Sequence, residues 1–339
     1  MLTKTIQNSN PTTEPQWTGN LNTVVNGDCR NILCNISDES IAACITDPPY
    51  NYEFVGHKWD HKEIERRISK TEGSSTLVRN LPYGSGLAGG VRNKNWYAKN
   101  RNNILEYSEW CSSWAKELFR VCKPGAFVAV FNSTRTAAHA QVALETEGFY
   151  ARDIIVYRRS SGIPKGLNLS AQLKKKGRSD WQAWQDWHSA LRGEWEAIVL
   201  VQKPLIDNYL KTFEKHGVGL MKAINPDGSF QSNILEGFSE RKTEKFNVHC
   251  TVKPLPLMEK LVDMLVPTGD ENVILDPFAG SGTTLVAAKK LGRSYVGIEI
   301  VPDYISIIDK RLGHAVNGAI SETHQLADED TQQRQNLCP

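Results

Sequence analysis

The chain has 339 residues, 40% hydrophobic and 23% charged, with a formal net charge of +2. That is enough apolar material for one large α/β core plus an accessory domain. No uninterrupted apolar run reaches the roughly 18 residues that span a bilayer, the polar N-terminus lacks a secretory apolar segment, and the seven cysteines contain no Cys-x-x-Cys pair, which argues against a disulfide framework and a structural zinc site. A cytoplasmic protein with reduced thiols and no metal is expected.

Strands are expected at Thr23 to Val25 and, buried, at Ala42 to Thr46. Directly after the second stands Asp47-Pro48-Pro49-Tyr50. Two successive prolines fix φ at about −65° and remove two backbone donors, so the carbonyls of Asp47 and Pro48 are left aimed outward. With the Asp47 carboxylate they form an acceptor-rich pocket suited to an NH2 group on a flat ring, whose face Tyr50 covers. A strand-terminating turn with a rim aromatic is the competing reading. A helix from about Tyr107 to Val121 carries Trp110, Trp114 and Leu118 at four-residue spacing. Lys123-Pro124-Gly125 ends it, Ala126 to Phe131 reads as a buried parallel strand, and Thr134 to Glu147 as a helix.

Asp153 to Tyr157 and Ala197 to Gln202 are strands suited to an antiparallel pair closing the sheet. Between Arg152 and Arg178 lie Arg158, Arg159, Lys165, Lys174, Lys175 and Lys176 against the single acid Asp153. That stretch can neutralise several phosphates, although a solvated surface has the same composition. An earlier basic stretch, from Arg66 to Arg101, is read the same way. Trp181, Trp184 and Trp187 recur every three residues, which we read as the packed face of a helix in preference to a base-stacking surface. The loop Ser161 to Gly166 is the better candidate for contacting nucleic acid.

Pro254 opens a helix to about Leu265, followed by strand Val273 to Leu275, helix Thr284 to Leu291, strand Tyr295 to Ile298 and helix Pro302 to Leu312. Such alternation means a mostly parallel sheet covered on both faces, with ligands at the carboxyl ends of its strands. There the sequence places Asp276-Pro277-Phe278-Ala279-Gly280-Ser281-Gly282-Thr283-Thr284. Strand, glycine turn, helix is a nucleotide-cradle layout, in which Gly280 and Gly282 admit close approach and Ser281, Thr283 and Thr284 can cap the helix. An ordinary strand-to-helix turn uses glycines in the same way. Glu299 ends its strand about 20 residues beyond the loop, the separation of an acid that binds ribose hydroxyls. A helix-capping acid before Pro302 is the alternative.

Joined by Asn26-Gly27-Asp28, Trp59-Asp60, Lys123-Pro124-Gly125, His249-Cys250-Thr251-Val252-Lys253-Pro254 and Gly297-Ile298-Glu299, the two motifs resemble the amino-group DNA methyltransferases that use S-adenosylmethionine. The order of motifs is that of the circularly permuted β class, with the catalytic tetrapeptide ahead of the cofactor loop. Cys250 stands where that family usually has proline, and the segments of about 61–105 and 160–247 match no family pattern.

The resemblance implies a doubly wound, mostly parallel Rossmann-like methyltransferase sheet with an inserted target-recognition region. It makes Asp47, Pro48, Pro49 and Tyr50 catalytic. It places Asp28 at the cofactor's adenine, Glu299 at its ribose, and Asp276, Phe278, Ala279, Gly280, Ser281, Gly282, Thr283 and Thr284 along its remainder. Thr251 and Lys253 approach its carboxylate. DNA contacts fall to Arg158, Arg159, Lys165, Lys174, Lys175 and Lys176. The expected division is a flexible segment 1–20, a catalytic half 21–160 with the basic insert 61–105, and a recognition region 161–247 with a returning strand near 197–202. A cofactor half 248–314 and a disordered tail 315–339 complete it.

The implied reaction moves a methyl group from S-adenosylmethionine to N6 of a flipped-out adenine in double-stranded DNA. Cytosine N4 is the alternative, since Asp at the head of the tetrapeptide favours adenine and N4 enzymes more commonly have Ser. An RNA or protein-amide methyltransferase, or a non-catalytic regulator, fits less well. No cysteine follows a proline, the usual setting of the nucleophile for cytosine C5. The sequence leaves open a cognate restriction enzyme and a homodimer.

Overall fold

The computed structural model describes residues 19–50, 94–159, 167–238, 247, 252–269 and 271–315, with backbone alone over 94–103. Lys165, Thr251, the loop 161–166, nearly all of the basic insert, and residues 1–18 and 316–339 of the end segments expected to be flexible or disordered lie outside these described residues. So do Trp59, Asp60, His249 and Cys250.

The strands are β1 (Thr23–Asn26), β2 (Ile41–Thr46), β3 (Cys122–Asn132), β4 (Tyr150–Arg158), β5 (Trp195–Gln202), β6 (Ile234–Leu235), β7 (Val273–Asp276) and β8 (Tyr295–Glu299). They form one sheet in the order β1-β8-β7-β2-β3-β5-β4-β6. From β1 to β3 every pairing is parallel, β5 runs antiparallel between β3 and β4, and β6 adds a short parallel edge. The expected antiparallel pair is present, with Ile155 opposite Ile198.

Helices α1 (Cys29–Ile32), α2 (Lys94–Val121), α3 (Ala137–Thr146), α4 (Leu169–Lys175), α5 (Tyr209–His216), α6 (Leu255–Leu265) and α7 (Thr283–Lys290) connect the strands, and α8 spans 302–315. The sheet is covered on both faces, which explains why β2 and β3 are buried along their whole length. Phe127, Ala129 and Phe131 enter one core with Leu261 of α6, Leu285 of α7 and Ile308 of α8. Val128 and Val130, one residue out of step, enter the other with Trp114 and Leu118 of α2 and Leu144 of α3.

Two expectations change. Helix α2 starts at Lys94, well before Tyr107; the sequence over 94–103 lacks the four-residue apolar spacing that marks the stretch from Tyr107 to Val121. The tryptophan stripe is not a packed helix face. Ser179–Trp184 is a 3-10 turn with no buried residue, and Trp184 and Trp187 are 36% and 61% exposed. A three-residue spacing matches a 3-10 turn, whose i and i+3 side chains eclipse. Among the described residues no helix is long and apolar enough to cross a membrane.

Candidate active site

Strands β2 and β7 are parallel neighbours in the middle of the sheet, so the tetrapeptide and the glycine loop leave the same edge side by side. A hydrogen bond joins them: Thr46 Oγ1 donates to Asp276 Oδ1 at 2.7 Å, and the Phe278 N–H donates to the same oxygen at 3.2 Å. Burial pushes the Asp276 carboxyl up to about 6, despite the hydrogen bonds of Thr284, Thr46 and Phe278.

The loop then turns through Gly280 (φ 55°) and Gly282 (φ 78°), a left-handed backbone that favours glycine. At Gly282 a Cβ would stand 2.9 Å from Ile308 Cγ2 of α8, so this turn is also a close approach between loop and helix. Buried Arg311 of α8 holds the loop from behind, donating to the Ser281 carbonyl at 2.8 Å and to Thr283 Oγ1 at 2.9 Å. Glu299, at the end of β8, accepts the Gly280 N–H at 2.7 Å and the Val301 N–H at 2.8 Å. Only 6% exposed, its carboxyl is pushed by burial up to about 7, against the pull of those N–H groups.

The tetrapeptide side holds an ionic cluster. Lys253 Nζ lies 3.0 Å from Asp47 Oδ2, 2.9 Å from Glu196 Oε2 and 2.7 Å from the Tyr50 hydroxyl. The Tyr50 hydroxyl in turn donates to Glu196 Oε2 at 3.3 Å, and Arg159 Nη1 reaches Glu196 Oε1 at 3.2 Å. Thr136 Oγ1 donates to the Tyr50 carbonyl at 3.1 Å. Asp47 Oδ1 is buried and meets no donor among the described residues. Burial raises the Asp47 carboxyl above its usual range, Lys253 opposes this, and the charge of Glu196 adds to it. Burial works against Glu196 too, yet Lys253, Arg159 and Tyr50 outweigh it and hold that carboxyl low. Lys253 is held protonated by its two carboxylates in spite of its burial.

The structure thus gathers Asp47, Tyr50, Asp276, the glycine loop and Glu299 along one edge. Lys253, assigned above to the cofactor's carboxylate, has its ammonium committed to Asp47, Tyr50 and Glu196. Phe278 turns into the core, its ring centroid 5.5 Å from those of both Trp110 and Trp114. Asp28 caps α1, accepting the Arg30 N–H at 2.9 Å and pairing with the Arg30 guanidinium. Arg158 pairs with Glu236 at 3.1 Å. Lys174 lies over the Trp181 ring at 4.8 Å, while Lys174, Lys175 and Lys176 are all exposed at the end of α4. Glu196 went unnoticed in the sequence; its one signal is an acid at the threshold of an otherwise apolar strand.

A parallel α/β sheet closed by an antiparallel strand, with an acidic glycine loop on one central strand and a carboxylate-aromatic tetrapeptide on the next, defines a Rossmann-like methyltransferase. Residues 41–310 match the family model for N6 and N4 DNA methylases. The chain is 31% identical over 311 residues to the type II methyltransferase M.HindIII of Haemophilus influenzae, covering 86% of this chain and 94% of that protein. It is 28% identical over 301 residues to type II methyltransferase M2.DpnII of Streptococcus pneumoniae, covering 88% and 92%. Two solved structures share the fold. TTHA0409 of Thermus thermophilus, complexed with S-adenosylmethionine, is 21% identical, with 87% and 96% covered and a TM-score of 0.50. The cytosine-N4-specific PvuII DNA methyltransferase is 15% identical, with 90% and 93% covered and a TM-score of 0.51.

The chain belongs to the N6/N4 DNA methylase family, whose methyl donor is S-adenosylmethionine. Its residues fit that donor: two buried acids, Asp276 and Glu299, would complement a sulfonium cation and ribose hydroxyls, and Gly280 would present bare backbone.

Proposed function

We propose that this DNA methyltransferase is adenine-specific and modifies N6 within a defined DNA word. The observation that carries the amine-methylation part of this reading, for either base, is the asymmetry of Asp47. Lys253 holds Oδ2 at 3.0 Å, whereas Oδ1 is buried without a donor among the described residues. An unmet buried acceptor is costly alone and is satisfied by an incoming N–H. The exocyclic amine supplies two such groups, one for Asp47 Oδ1 and one for the Pro48 carbonyl, and this pairing favours the pyramidal nitrogen whose lone pair can react. Tyr50 stacks on the extruded base, its ring tethered through the hydroxyl.

S-adenosylmethionine supplies an electrophilic methyl on a good leaving group. Asp276, Glu299 and the loop 278–284 orient it, with Asp28 at the adenine end and Thr251 near the carboxylate. The new N–C bond forms as the S–C bond breaks, the electron pair stays on sulfur, and the amine loses its proton to water while Asp47 stabilises the transient cation. Residues 161–247 form the recognition region between the catalytic half 21–160 and the cofactor half 248–314. Its exposed Trp184, Trp187 and Lys174 to Lys176 support a DNA-facing role, which we assign from the sequence to Arg158, Arg159 and Lys165 as well. Asp at the head of the tetrapeptide favours adenine over cytosine.

Modified-base sequencing and nucleoside analysis of DNA from a host expressing the chain test this reading. N6-methyladenine at a single word is the expected result; N4-methylcytosine instead would sink the adenine assignment.

A further inference from the structure

Glu196 lies outside every motif discussed so far, yet it closes the ionic cluster at the tetrapeptide. An ammonium has three donors, and those of Lys253 are met by Asp47 Oδ2, the Tyr50 hydroxyl and Glu196 Oε2. Two carboxylates therefore share one largely buried cation, and Asp47, Glu196 and Lys253 together carry a net negative charge. Arg159 meets the far oxygen of Glu196, but its side chain is 40% exposed against 10–22% for the other three, so solvent screens it more. Were Lys253 paired with Asp47 alone, its charge would cancel that of the acceptor. The Tyr50 hydroxyl would also lose the oxygen to which it donates.

We propose that Glu196 is a positioning residue of methyl transfer: it draws off part of the Lys253 charge, so that Asp47 stays an effective acceptor, and it fixes the tilt of Tyr50. The reacting amine becomes cationic as the bond forms. Negative charge retained beside it is worth more in the transition state than in the ground state, so the effect belongs to the transfer rate and not to cofactor binding. This inference rests on the reading of Asp47 as the amine acceptor.

The test uses the full-length protein, tritiated S-adenosylmethionine and unmethylated DNA of high sequence complexity, with wild type, Glu196→Gln and Asp47→Asn compared in single turnover. Glu196→Gln is expected to slow transfer by about tenfold or more while the cofactor Kd stays within about twofold. In the cofactor-free protein, the carboxyl carbon signal of Asp47, recognised by its loss in Asp47→Asn, should titrate at lower pH in Glu196→Gln. Among the described residues, the charged and titratable groups facing Asp47 are Lys253, Tyr50 and Glu196, with Asp276 beyond Thr46 and Arg159 beyond Glu196. The substitution removes only the like charge of Glu196.

Transfer within about twofold of wild type, or an unmoved Asp47 titration, overturns the proposal. If Asp47→Asn remains active, the underlying reading of Asp47 fails as well; if it is dead while Glu196→Gln is normal, only the role of Glu196 fails. Should Glu196→Gln not fold, Glu196→Asp replaces it. That variant keeps the charge but withdraws it by one methylene, and transfer at the wild-type rate would again refute the role.

Discussion

At the scale of single residues, the two buried acids proposed to hold the cofactor link chemistry to pH. Glu299 titrates near 7 in the fold against an ordinary 4.5, and Asp276 near 6 against 3.8. A carboxyl with a raised folded pKa binds its proton more tightly in the native state. Its stabilising contribution is complete below the unfolded value and is lost as pH rises through the folded one. The cofactor-free protein should therefore lose stability between about pH 5 and 7.5, measurable by urea denaturation across that range. A ribose hydroxyl donating to Glu299 favours the ionised acid, so cofactor affinity should rise over the upper part of the same window and binding should release protons. Calorimetry in buffers of different ionisation enthalpy reads this, and a pH-independent Kd would exclude Glu299 from the ribose. Trp114, wholly buried against Phe278, ties the glycine loop to α2. Trp114→Ala is expected to cost about 3–5 kcal/mol of unfolding free energy; a loss below about 1 kcal/mol would show that the core closes over the gap.

Single elements carry the next set of consequences. The turn into α7 needs glycine twice over at position 282, for its φ of 78° and for the 2.9 Å approach to Ile308. Gly282→Ala should destabilise the protein by at least about 1–2 kcal/mol and weaken cofactor binding, because loop and α8 must move apart. An unchanged denaturation midpoint would contradict this account. Helix α4 ends in three exposed lysines beside the tryptophan turn. Replacing Lys174, Lys175 and Lys176 by Gln should flatten the dependence of log K on log salt for DNA by up to about 3, near 0.9 for each phosphate left without its lysine. An unaltered slope would remove α4 from the interface. Elements also differ in how far they could be read from the sequence. Strands β2, β3 and β7 were plain because burial on both faces leaves continuous apolar runs. The tryptophans misled because a spacing of three suits a packed helix nearly as well as a 3-10 turn, and only the missing opposite face tells them apart. Glu196 was invisible for another reason: its partners lie 57 residues away at Lys253 and 146 at Tyr50, and no local pattern announces a contact made by folding.

On the scale of the whole molecule, the order β1-β8-β7-β2 sets the last strands to be synthesised between the first two. With neighbouring strands about 4.8 Å apart, β1 and β2 must stand roughly 14 Å from one another until β7 and β8 arrive. Such late, distant pairings fold slowly. A ribosome-bound chain stalled before Val273 should be digested rapidly by protease, and one extended past β8 should be protected; equal resistance would mean the early strands close up without their neighbours. The final two strands act as a keystone. Until they slide home, β1 has no companion and the tetrapeptide has neither Asp276 nor Glu299 alongside it, so a half-made chain holds only one side of the cleft.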